Sequence, residues 1–181
     1  MTSPNQPIRY EIRQSGTGSG TFEMICSTIG TEGALNVLGK DHEASTETSI
    51  VNANTVGTYY AIAGIKHKTS SRSTSVDIIA VSLIISSNDK LRWELRLNPT
   101  VAGVFTYSDK TNSGMQVAIG DIVASPSTNT VTGGHIVASG YMQQAGATVI
   151  PLDSALKIGT GIDGTQDAIV LCVSPMSINL D

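Results

Sequence analysis

Leu91-Arg-Trp-Glu-Leu-Arg-Leu97 alternates with a period of two: Leu91, Trp93, Leu95 and Leu97 fall on one face, and Arg92, Glu94 and Arg96 on the other. A helix would scatter the four apolar positions around its circumference, so the stretch predicts a half-buried β-strand with Trp93 as a core anchor. Just before it, Val76-Asp-Ile-Ile-Ala-Val-Ser-Leu-Ile-Ile85 is rich in β-branched residues and apolar on both faces. That pattern predicts a strand covered from both sides. Ser86-Ser-Asn-Asp-Lys90 between them has turn chemistry, and the pair reads as a hairpin.

The same short period recurs along the chain. Tyr10–Gln14, Thr21–Ser27, Tyr59–His67, Val104–Tyr107, Met115–Ala118, His135–Met142, Thr148–Ile150 and Ala168–Ser174 are further strand candidates. Gly, Ser, Asn and Asp punctuate the gaps, as at Gly16–Gly20, Thr69–Ser75, Asp109–Ser113, Ser125–Asn129 and Gly159–Gly164. Only Glu32–Leu38 and Leu152–Leu156 could be helical, both under three turns, and either could equally be extended. Parallel strands need long crossovers that are missing here, so the expectation is an all-β, antiparallel fold. Residues 1–14 read as an N-terminal arm, interrupted by Pro4 and Pro7, with a first strand-like alternation; residues 15–181 read as a single β-sandwich domain.

The 181 residues are 40% hydrophobic and 14% charged, with a net charge of -4, which argues against a nucleic-acid surface. Twenty-one Ser and 20 Thr outnumber the charged residues and describe a neutral, hydroxylated surface. The start lacks a basic and apolar leader, and no apolar run approaches transmembrane length, so no membrane insertion is expected. Cys26 and Cys172 both sit in apolar strand-like segments; they are two buried thiols or a bridge between a first and a last strand.

Chemical motifs are sparse. Gly159-Thr-Gly161-Ile-Asp-Gly164 matches a dinucleotide-loop pattern, but the strand-like Asp167–Val173 follows where that loop requires a helix, so it reads as a turn. Gly16–Gly20 lacks the Lys-Ser/Thr tail of a phosphate loop. His42, His67 and His135 never reach a metal-ligand spacing. Asp41-His42-Glu43 is the densest ionisable cluster, yet neighbouring side chains of an extended segment diverge, which favours a solvated loop. No Gly-x-Ser-x-Gly elbow marks a hydrolase. Lys66-His-Lys68 with Arg72 reads as a solvated loop or as contacts to an acidic protein neighbour, and Tyr59, Tyr60, Tyr107 and Tyr141 stand between core and rim. Catalytic, cofactor and metal residues are therefore expected to be none.

The segment from Tyr59 to Thr132 resembles a recurrent module of tailed-phage virion proteins. It carries a strand ending in a basic turn (Tyr60-Ala-Ile-Ala-Gly-Ile-Lys66), the apolar Val76–Ile85, a Trp-containing strand with an Asn-Pro-Thr turn (Arg92–Thr100), Gly103-Val-Phe-Thr-Tyr107 and Asn112-Ser113. Thr132–Tyr141 and Ile162–Leu171 also look like that module. The resemblance implies a jelly-roll-like sandwich, assembled as a homotrimer on the virion and made in the host cytoplasm. Its partner would be the major capsid or a tail protein. It further implies a non-enzymatic capsid decoration or cement protein, with the receptor-binding tip of a tail fibre or head spike, contacting host glycan or protein, as the alternative.

Overall fold

The computed structural model describes residues 42–45, 51–71, 74–85, 90–142, 146–152, 156–161 and 163–176. The chain divides into two compact units, Met1–Gly39 and Lys40–Asp181, and every described residue belongs to the second. The strand candidates Tyr10–Gln14 and Thr21–Ser27, the segment Glu32–Leu38, the arm and Cys26 lie outside the described residues.

Among the described residues, twelve strands run in the order β1 (Tyr60–His67), β2 (Val76–Asp77), β3 (Ala80–Ile85), β4 (Leu91–Leu97), β5 (Thr100–Val101), β6 (Ser108–Asp109), β7 (Met115–Ile119), β8 (Val131–Thr132), β9 (His135–Met142), β10 (Gly146–Pro151), β11 (Lys157–Ile158) and β12 (Ala168–Pro175). Every ladder is antiparallel, and the one helical element described is a 3-10 turn at Thr69–Ser71. The fold is all-β, as the period of two predicts.

A six-stranded sheet, ordered β6-β7-β1-β12-β4-β9, forms the frame. Its central strand β12 is buried from Ile169 to Pro175, which is why Ile-Val-Leu-Cys-Val is apolar at consecutive positions. On one face, Trp93, Leu95, Ile169, Leu171 and Val173 pack against Ile78, Leu83 and Ile158. The latter three belong to a two-stranded ribbon in which β3 pairs with β10 and β2 with β11. The ribbon is continuous, because Ile78 N–H donates to Leu156 O and Leu152 N–H to Ile79 O across the break. On the other face, Ala61, Val131, Val170 and Cys172 form a second cluster, flanked by Tyr59, Val101 and Phe105.

Three expectations are corrected. Val76–Ile85 and Leu91–Leu97 do not form a hairpin: β3 pairs with β10, while β4 lies between β12 and β9. Two strands adjacent in sequence can enter different layers when each finds a better apolar partner elsewhere, and Trp93 and Leu95 find theirs beside β12. Nor is Val76–Ile85 one strand covered on both faces. It divides after Asp77, burying Ile78 while Ile79 faces solvent.

Val104–Tyr107 is not a strand. The Asn129 side chain, wholly buried, donates from Nδ2 to Ala102 O (2.9 Å) and Val104 O (3.2 Å), taking carbonyls that a ladder would use. Phe105 and Tyr107 meet edge to face instead. They fill the space above Gly64, where a Cβ would lie 2.7 Å from the Tyr107 hydroxyl.

Candidate protein-binding surface

The outer face of the β3–β10 ribbon is apolar and uncovered by the described chain. Val81 and Leu83 point to the core, so the pleat turns Ala80, Ser82 and Ile84 outward. Their registered partners on β10 are Pro151, Val149 and Ala147, and all six are exposed. Ile84 is 80% exposed, Val149 67% and the neighbouring Ile79 66%, with no charged side chain among the seven. Apolar side chains grouped in this way mark interaction sites more often than scattered ones do.

A second feature occupies the opposite face of the frame, where the alternation of β4 sets Arg92, Glu94 and Arg96 in a row. A solvated polar face is the simple expectation for this row, yet Glu94 is only 1% exposed. Its carboxylate accepts from the Tyr59 hydroxyl at 2.7 Å and from Arg96 Nε at 2.7 Å. Arg92 Nη2 lies 2.8 Å from Oε1, and Arg96 Nη2 2.6 Å from Oε2. Arg96 also donates from Nη1 to Gly133 O.

Burial alone would raise the Glu94 carboxyl, but the hydrogen bonds from Tyr59 and Arg96 and the two guanidinium charges outweigh it. The group is held below the usual carboxylate range. Burial and the bond to Glu94 push the Tyr59 phenol up.

The arginines stack as well as pair. The Arg96 guanidinium lies 4.5 Å from the centre of the Tyr59 ring, and that of Arg92 lies 5.7 Å from the Tyr141 ring. Tyr141, opposite Arg92 in the β4–β9 ladder, is 60% exposed and is the rim tyrosine of the four. Tyr60 is core, while Tyr107 is partly buried and its phenol is pushed up to about 12 by that burial.

The ionisable motifs are dispersed or committed to structure. His67 is fully buried, its Nδ1 2.6 Å from the Thr160 hydroxyl and its Nε2 3.3 Å from that of Thr74. Because Thr74 donates its own proton to Ser71 O, the bond between Nε2 and Thr74 runs from an Nε2 that carries hydrogen. Lys66 stacks over Tyr107, and Lys68 donates to Lys110 O and pairs with Asp109. Lys66 and Lys68 are thus engaged within the chain, and Arg72 lies outside the described residues.

Glu43, Ser45, Thr106, Ser108 and Asp109 line an open groove of about 600 Å³, and of its two carboxylates Asp109 accepts from Gln116. Gly159–Gly164 closes as a turn between β11 and β12, through Gly161 N–H to Thr165 O and Asp167 N–H to Gly159 O. Cys172 is a free thiol, raised to about 12 by burial. Among the described residues no group of three His, Cys, Asp or Glu could hold a metal ion, and no helix is long and apolar enough to cross a membrane.

Compared with protein-family models, with curated proteins and with solved structures, the chain has no significant match. The surface is therefore read from its own residues. Its Arg-x-Glu-x-Arg spacing, three charges of alternating sign on one strand face, was a signal available in the sequence; the burial of that face was not.

Proposed function

We propose that this chain is a non-enzymatic structural protein of a tailed-phage particle, a capsid decoration or cement protein that stabilises the particle surface through protein–protein contacts. In this reading the antiparallel sheets form a jelly-roll-like sandwich that assembles as a homotrimer. The observation that carries the reading is the uncharged outer face of the β3–β10 ribbon, with Ile79, Ile84 and Val149 exposed together. Such a face is stabilised by covering it, and a second copy of the chain presents the same uncharged chemistry. The virion setting is supported by the resemblance of Tyr59–Thr132 to phage virion modules.

The test is cosedimentation of the purified protein with virus particles stripped of accessory proteins and, separately, with intact host cells. Binding to particles at a stoichiometry set by capsid symmetry is the expected result. Binding to cells alone would replace this reading with that of a receptor-binding tip, and binding to neither would overturn both.

A further inference from the structure

The two edges of the six-stranded sheet are built differently. The β6 edge is two residues long and charged, with Asp109 held by Gln116 and Lys68. Short, charged edges are the usual protection against unwanted strand pairing. The β9 edge is eight residues long, His-Ile-Val-Ala-Ser-Gly-Tyr-Met, with no acidic residue, lysine, arginine or proline. It pairs with β4 on one side, and no described residue pairs with it on the other. An irregularity beside Val137 disturbs its start and leaves Ala138–Met142 in regular register.

Charge beside this edge is unbalanced. The Arg92 and Arg96 guanidiniums share the single carboxylate of Glu94, which both of them and Tyr59 already engage. Arg92 spends one nitrogen on Glu94, its Nε has no hydrogen-bond partner, and its side chain is 38% exposed beside Tyr141. The Nε is buried, so it is the exposed end of the guanidinium that suits a carboxylate arriving over β9.

We propose that β9 is a docking edge that accepts an extended, acidic segment of a partner protein as an added strand, with a carboxylate of that segment received by Arg92 next to Tyr141. Main-chain bonds along Ala138–Met142 supply the general affinity, and Arg92 supplies the preference for acidic side chains. The proposal deepens the particle-binding reading, naming the chemistry of the partner segment.

The probe is a blocked eight-residue peptide, Thr-Val-Thr-Glu-Thr-Val-Thr-Val, offered to the whole chain and compared with the same peptide carrying Lys for Glu and with an N-methylated form. The Glu peptide should slow amide hydrogen exchange within 138–142 and bind about tenfold tighter than the Lys peptide. N-methylation should abolish binding. Arg92→Gln should bring the Glu-to-Lys ratio close to one, and Arg92→Lys should restore part of it, which separates recognition from a folding defect.

Equal binding of the two peptides, or none at millimolar concentration, would overturn the proposal. So would β9 protection that grows with protein concentration alone, since a second copy would then be the occupant. These measurements need no particle, so their failure leaves the cosedimentation result standing, and failed cosedimentation leaves theirs standing.

Discussion

Trp93 and Gly140 face each other across the β4–β9 ladder, and a Cβ built at position 140 would lie 2.7 Å from the indole ring. The indole is buried because its ladder partner has no side chain. Gly140→Ala should therefore push Trp93 from its seat and destabilise the fold by about 1–3 kcal/mol, the range for an overpacked core. Urea unfolding followed by tryptophan fluorescence reads both effects, since Trp93 is the sole tryptophan.

Glu94→Gln leaves two guanidiniums gathered around a neutral amide. Removing one member of a buried ion cluster costs about 3 kcal/mol, whereas replacing the whole cluster with apolar residues costs less. The triple variant R92M/E94L/R96M should accordingly unfold at higher urea than E94Q. The reverse order would show that the cluster contributes net stability.

Acid stability should depend on a loop carboxylate. Asp121 accepts from the Thr128 hydroxyl and from the Val123 and Ala124 N–H groups, which together bring its carboxyl down to about 2. A carboxyl lowered in the folded state stabilises it at all pH above the unfolded value, near ~3.9, and that contribution disappears as pH falls toward 2. Asp121→Ala should lower the melting temperature at pH 6 and lose less on acidification than the parent chain. Thermal melts between pH 6 and pH 2 give the comparison.

Ile84→Asp and Val149→Asp place charges on the ribbon's outer face without touching its core side. Both positions are exposed, so each variant should still fold and melt cooperatively, losing only the stabilisation that assembly gives the parent. Sedimentation velocity should show the parent chain as a three-chain particle and each variant as one chain. A one-chain parent at micromolar concentration would remove the trimer from the proposal.

How far the sequence could be read depended on which residues had to meet. Leu91–Leu97 and His135–Met142 appear as strands with the bounds the alternation gives, because period and punctuation are local properties. Pairing is not local. The partner of Ala80–Ile85 is Gly146–Pro151, and nothing in the turn chemistry of Ser86–Lys90 reveals that the next strand belongs to another layer.

The failure at Val104–Tyr107 has the same origin, since the side chain that claims its first carbonyl is Asn129, 25 residues later. The surface was legible in part. Apolar residues on both faces of Val76–Ile85 pointed to an apolar outer face, which the ribbon exposes at Ile79 and Ile84, but the burial of Glu94 depends on Tyr59, 35 positions away.

The central position of β12 bears on synthesis. Sheet order places it between β1 and β4, so until it arrives the strands β6-β7-β1 and β4-β9 share no hydrogen-bonded ladder. β12 is also the last of the twelve strands to leave the ribosome. The nascent chain therefore carries two separate groups of strands, each with an open edge at β1 or β4, until the final seam closes. Such exposure invites misassembly between chains translated side by side, and it makes the interval before residue 168 emerges the period in which a chaperone would matter most.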